Sequence, residues 1–159
     1  MSLSAANTWT YKPRGTGADV CRFLVLSSEV IYHGALVVID KAGGTPSTEG
    51  YLKNMDNSSG TDDIFAGIAI PSDNYVTGDS SSVWCPVDVS GPTVTYVSVT
   101  GASGRYDIGD LVYATDENTL TLSAATYTKA VGIVTRWYSS TYCDVKLFSM
   151  MEYKTYMLD

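Results

Sequence analysis

The sequence predicts an all-β protein: a small antiparallel β-barrel or sandwich built from two related sets of strands, with an extended N-terminal arm. Segments rich in β-branched and aromatic residues alternate with short connections of Gly, Ser, Asn and Asp. Apolar and polar residues alternate along several of these segments, as in strands with one buried face. The same succession of three segments also occurs twice along the 159 residues.

The clearest strands lie between residues 105 and 148. Residues 111–115 are β-branched or aromatic, and a hairpin connection follows in which Asn118 can adopt a positive φ. Three more strands are expected in this part of the chain, at residues 119–123, 130–134 and 142–147. The first and last of these alternate, whereas the middle one is almost wholly apolar, which predicts burial on both faces.

An earlier stretch, residues 30–89, repeats this pattern. Three matched pairs are separated by 75, 65 and 58 residues: Gly34 with Gly109, Gly67 with Gly132, and Cys85 with Cys143. Because the separation falls along the chain, the first copy has the longer connections between its strands. We therefore expect two pseudo-repeats, at about 30–89 and 105–148, joined by a hinge at 101–104.

Three segments lie outside this pattern. Residues 1–18 predict an arm, because the alternating stretch 8–12 is bounded by Asn7 and Pro13 and has little to hold it to its own domain. Residues 41–63 predict a long loop, whose stretch 51–55 can dock as one helical turn. The expected organisation is an arm (1–18), a β-barrel domain (19–149) and a C-terminal tail rich in Met and Tyr (150–159).

Composition and charge argue against several classes of partner. The net charge is −7, and the ten Lys and Arg residues are scattered, which disfavours binding to nucleic acid or to a membrane surface. The N-terminal sequence lacks the basic and apolar regions of a signal peptide, and no apolar stretch has the length of a membrane span. The three cysteines (Cys21, Cys85 and Cys143) are widely spaced, which predicts free thiols in a reducing compartment.

The sequence contains little that predicts catalysis. His33 is the only histidine, so a His-based general base or a multi-histidine metal site is excluded. The close carboxylate pairs, Asp62 with Asp63 and Asp107 with Asp110, are expected to cap turns. We therefore predict that the protein is not an enzyme and has no catalytic residues, cofactor or metal.

Three motifs resemble a known family. The Gly-Asp-x-Val-Tyr strand at 109–113, the Val-Gly-Ile-Val strand at 131–134 and the Val-Lys-Leu strand at 145–147 look like the end of the small phage capsid cement (decoration) proteins. The resemblance spans roughly residues 30–148. It implies a β-barrel protein, usually a homotrimer, that is made in the host cytoplasm and binds the major capsid protein on the outside of the phage head.

The expected function is therefore structural: stabilisation of the head by bridging capsid subunits. Tyr and Met side chains adapt to irregular and half-hydrated surfaces, so the segments outside the resemblance supply the candidate contacts. The predicted capsid or subunit interface residues are Trp9, Tyr11, Tyr51, Met55, Tyr153 and Tyr156.

Two alternative functions belong to other classes. A carbohydrate- or surface-binding β-sandwich module would use exposed Trp and Tyr side chains as stacking platforms, and convergence of Trp9, Trp84 and Trp137 in one shallow groove would favour it. A hydrolase that uses paired aspartates would require two carboxylates about 5–10 Å apart in a cleft.

Overall fold

The computed structural model describes residues 3–7, 9–12, 19–41, 48–56, 62–124 and 129–157. These residues contain thirteen strands, one short 3-10 helix (Arg105–Asp107) and one α-helix. The prediction of an all-β fold is confirmed. The strands and the α-helix are β1 (Thr10–Lys12), β2 (Val20–Leu24), β3 (Val30–Tyr32), β4 (Leu36–Ile39), β5 (Leu52–Asn54), β6 (Ile64–Ala69), β7 (Tyr75–Thr77), β8 (Trp84–Asp88), β9 (Thr93–Thr100), β10 (Leu111–Asp116), β11 (Thr119–Thr121), β12 (Lys129–Ser139), β13 (Tyr142–Leu147) and α1 (Met150–Met157).

The strands form two five-stranded barrels with the same strand order. The first barrel follows the order β2-β8-β6-β4-β5, and its two end strands meet at a parallel bridge between Val25 and Leu52. The second follows β9-β13-β12-β10-β11, and β11 runs parallel to β9 with Leu120 opposite Val99. Strands β3 and β7 pair separately, within the longer connections of the first barrel.

The register of the strand pairs is the same in both barrels. Leu36 lies opposite Ile68 in the first barrel, and Leu111 lies opposite Ile133 in the second. Leu111 follows Leu36 by 75 residues, and Ile133 follows Ile68 by 65 residues, as in the sequence repeat. Both pairs of strands contain an irregularity one residue later, after Val37 and after Val112. The predicted relation between the two sets of strands is therefore confirmed at the level of individual residue pairs.

The same structural constraint requires glycine at the matched positions Gly67 and Gly132. A Cβ atom placed on Gly67 would lie less than 3.0 Å from the carbonyl oxygen of Asp88. A Cβ atom placed on Gly132 would also lie less than 3.0 Å from the carbonyl oxygen of Lys146. These two carbonyls occupy equivalent positions in β8 and β13. Only glycine permits the neighbouring strand to approach so closely.

The repeats begin earlier than the sequence indicated. Strands β2 and β9 are equivalent, because Phe23 pairs with Cys85 as Val97 pairs with Cys143. The two barrels therefore meet at the short connection 90–92. The expected hinge at 101–104 instead lies inside the second barrel, between β9 and β10.

The N-terminal segment is held by both barrels, so the expectation that little attaches it to its own domain is wrong. Strand β1 pairs with the edge of β9 in the second barrel. The backbone N–H of Leu3 donates to the Glu117 carboxylate over 2.6 Å. In the first barrel, the side chain of Asn7 donates to the carbonyl of Gly34 over 3.0 Å.

Two further segments differ from their predicted form. The expected helical turn at 51–55 is strand β5, which pairs with β4. The tail forms α1, whose start is capped reciprocally: Glu152 N–H donates to the hydroxyl of Ser149 (3.0 Å), and Ser149 N–H donates to the carboxylate of Glu152 (2.7 Å).

Candidate interaction surface

Two of the six predicted interface residues are buried within the chain. Met55 has no exposed surface, and Tyr153 is 3% exposed, with its ring packed edge-on at 6.0 Å from that of Phe65. The outer side of the first barrel is apolar and is covered by α1, which the sequence pattern of the tail did not indicate. Neither side chain is available to a partner in this conformation.

The other four predicted residues differ in exposure. The buried hydrophobic residues form two clusters, and Trp9 is partly buried against the larger one, which contains Leu36 and Val112. Tyr51 is half-buried, and its hydroxyl donates to the carbonyl of Ser80 over 3.2 Å. The backbone of Tyr11 pairs in β1, but its side chain lies outside the described residues. Tyr156, on α1, is 77% exposed and available to a partner.

The interiors of the two barrels are equivalent and fully apolar. Val37, Ala69 and Val87 are buried in the first barrel, and their counterparts Val112, Val134 and Val145 are buried in the second. The buried thiols of Cys85 and Cys143 also occupy matched positions. The interiors therefore account for the fold and provide no exposed surface.

The outer faces of the two barrels are not equivalent. Leu36, Ile68 and Asp88 lie side by side across three strands of the first barrel, and all three are buried. Their counterparts in the second barrel are Leu111, Ile133 and Lys146. Leu111 is 38% exposed, and the other two are half-buried.

The second barrel and α1 cover the row in the first barrel. Leu36 and Ile68 belong to the same hydrophobic cluster as Val112 and Tyr153. The backbone N–H of Leu36 also donates to the carbonyl of Glu117, in the turn between β10 and β11, over 2.9 Å. The first barrel thus uses this face for a contact within the chain.

We call the corresponding surface of the second barrel the open face and define it by Leu111, Ile133 and Tyr156. Ile133 and Tyr156 line a shallow groove of about 260 Å³, bordered by Lys146 and Glu152. An apolar centre with a charged border is typical of a protein–protein contact site.

A buried ionic cluster joins β5 to the end of β4 and the start of β6 in the first barrel. Lys53 Nζ lies 3.0 Å from a carboxylate oxygen of Asp63 and 3.7 Å from one of Asp40, and Asp63 also accepts the backbone N–H of Lys41 over 2.8 Å. Burial lowers the pKa of Lys53, but the hydrogen bond to Asp63 and the charges of Asp63, Asp40 and Asp56 together outweigh this effect, so the pKa is raised. Each of these groups has a structural partner.

Two of the remaining polar candidates, Asp107 and His33, have backbone groups as neighbours. Asp107 accepts the backbone N–H groups of Ser103 and Gly104 over 2.7 and 2.9 Å, as expected of an aspartate that caps a turn. His33 lies 3.2 Å from the carbonyl of Pro71. Among the described residues, no group of three or more His, Cys, Asp or Glu side chains could hold a metal ion.

The three tryptophans lie on different parts of the molecule. Trp84 is exposed on β8 of the first barrel, whereas Trp9 and Trp137 pack against the larger hydrophobic cluster, which includes the interior of the second. The tryptophans therefore do not form the single shallow groove that would favour the carbohydrate-binding alternative.

No family, curated protein or solved structure matches the chain. The α-helix found within the described residues is too short to cross a membrane.

Proposed function

We propose that this protein is a structural component of a phage head, which it decorates and stabilises by binding major capsid protein subunits on the outer surface. The observation that supports this function best is the open face. Its counterpart in the first barrel is buried, so the same strand arrangement can be covered by protein. In the second barrel, the described part of the chain leaves this face partly exposed.

Bridging requires each decorating unit to touch at least two capsid subunits. The described part of one chain provides one open face, whereas a homotrimer, as the resemblance implies, provides three. Three faces held in one unit bind together, which raises the overall affinity above that of each contact. The net charge of −7 also suits the outside of a particle whose inside is filled with DNA.

The test is co-sedimentation of the protein with undecorated heads. Leu111→Ser should weaken binding about tenfold, and adding Ile133→Ser should weaken it further, because the apolar centre of an interface provides most of its binding energy. Val30→Ser is the matched control, since Val30 is 37% exposed and Leu111 is 38% exposed. Thermal melts of each variant should lie close to that of the wild type.

Two results would count against the proposal. The first is equal sedimentation of Leu111→Ser/Ile133→Ser and Val30→Ser with heads. The second concerns the trimer: a map of decorated heads that shows isolated copies without mutual contact would exclude it. Light scattering on the purified protein gives the oligomeric state away from the shell.

A further inference from the structure

A cluster of tyrosines lies on the surface of the second barrel, at the end of β12 and β13 remote from the open face. The rings of Tyr96 and Tyr142 are stacked, with centroids 4.7 Å apart and planes 9° from parallel. The ring of Tyr138 meets that of Tyr96 edge-on at 5.2 Å. Tyr96 is 57% exposed and Tyr142 is 38% exposed, so the packed rings form a platform rather than a core.

Charged and polar groups fix the platform. Asp144 accepts the hydroxyl of Tyr138 and the backbone N–H of Tyr96, both over 2.9 Å. The guanidinium of Arg136 lies 4.4 Å above the ring of Tyr138. The rings are therefore held in place before any ligand binds, which lowers the entropic cost of binding.

The backbone at Tyr96 is unusual. Its φ is +53°, in the left-handed region that a bulky residue rarely adopts. The residue lies where the pairing of β9 with β13 is irregular, between Cys143 and Val145. This conformation directs the ring of Tyr96 against that of Tyr142.

The first barrel has no such platform. The positions equivalent to Tyr96 and Asp144 hold Arg22 and Pro86, and Trp84 is the counterpart of Tyr142. Strand β12 also has eleven residues, whereas its counterpart β6 has six, and the additional length includes Tyr138. The platform is therefore an addition to the repeat and is not needed to build a barrel.

We propose that this platform binds a neutral polysaccharide through the faces of its pyranose rings. The C–H face of a sugar ring packs on an aromatic ring, and its hydroxyl groups need hydrogen-bonding groups at the edge. Asp144 and Arg136 supply one charge of each sign, so the site has no net charge that would select a charged ligand. The hydroxyls of Ser98 and Thr141, 2.8 Å apart, lie beside Tyr142 and supply further polar contacts.

The experiment is native gel electrophoresis of the full chain through gels that contain mixed-linkage β-glucan, xylan, galactomannan, amylopectin or dextran. At least one of these polymers should retard the wild type, and about 0.5 M salt should not abolish the effect, because no charge on the ligand is involved. Tyr142→Ala should weaken binding about tenfold, which corresponds to the loss of one stacking ring. Tyr96→Gly should act similarly, because glycine removes the ring and tolerates the positive φ.

Tyr96→Phe retains the ring and should bind like the wild type. Trp84→Ala removes the exposed aromatic ring at the position of the first barrel that is equivalent to Tyr142, and it should also bind normally. The proposal fails if none of the five polymers retards the wild type, or if Tyr142→Ala and Tyr96→Gly migrate as it does. It also fails if these variants lose binding to phage heads instead, because the platform would then be a protein contact.

Discussion

The two barrels share their strand order, register, buried interior positions and close-approach glycines, yet their outer faces have different surroundings. In the first barrel the row that contains Leu36 is buried by the rest of the chain, whereas the same row in the second is only partly covered, with Leu111 38% exposed. This difference shows that strand pairing determines the inside of each barrel, while its surface depends on what it contacts. Four experiments can test how far the two barrels are equivalent.

The largest effect is expected from an added methyl group at the glycines where strands approach closely. Gly67→Ala and Gly132→Ala should each destabilise the protein by about 3 kcal/mol or more, because a backbone carbonyl blocks the added Cβ and cannot move without breaking strand pairs. Chemical denaturation measures the loss. Gly101→Ala is the control for backbone strain without a clash: its φ is +93°, but the nearest atom to its added Cβ is 3.7 Å away, so it should lose less stability. If Gly132→Ala were tolerated, the two sites would not be equivalent.

The second-largest effect is a difference in unfolding free energy between variants of the matched residues Leu36 and Leu111. Leu36→Ala should cost about 2–5 kcal/mol of unfolding free energy, because it leaves a cavity in a buried cluster. Leu111→Ala should cost less than about 1 kcal/mol, because that side chain is already 38% exposed. Urea titrations of the two variants provide the comparison. Equal losses would mean that the open face is covered in solution, for example by a second copy.

A smaller effect is expected at alkaline pH. Burial, together with the charge of Asp63, raises the pKa of Tyr153 to about 12. In the unfolded chain this tyrosine ionises near pH 10, so its contribution to stability is present below that pH and is lost as the pH rises towards 12. Tyr153→Phe should therefore lose less stability than the wild type between pH 9 and about 12. Parallel melts across this range measure the difference, and identical pH profiles would contradict it.

The smallest change concerns thiol reactivity and leaves stability unaffected. Cys21 is exposed and should react rapidly with a thiol reagent, whereas the matched pair Cys85 and Cys143 are buried and should react only after unfolding. Burial raises the pKa of the Cys85 thiol to about 12, which further suppresses its thiolate. Mass spectrometry of the labelled protein tests this order. Rapid labelling of only one of the buried pair would show that one barrel opens independently of the other.

The sequence predicted those parts of the fold that depend on unusual residues. The glycines and cysteines of the repeat identified three equivalent strand pairs, because close packing permits few alternatives at those positions. The equivalence of β2 with β9 was missed, since Phe23 and Val97 fill similar space with different side chains. One local signal was overlooked: Ser149 followed by Glu152 is a capping box, which predicts the start of a helix.

The interaction surfaces were less predictable. Met55 and Tyr153 have the composition of interface residues but cover an apolar face within the chain, and only tertiary packing shows this. The tyrosine platform joins residues from three strands, and its geometry depends on the positive φ of Tyr96. Neither property follows from hydrophobic periodicity.

The attachment of β1 to β9 has a consequence for the order in which the chain is completed during translation. All strands of the first barrel have been synthesised once residue 88 has been added, but β1 pairs with residues 93–95 and Leu3 bonds to Glu117. Strand β1 precedes every strand of the first barrel in the chain, yet it is among the later strands to find its native partner. Until then its backbone groups, and the aromatic ring of Trp9, remain available to other nascent chains.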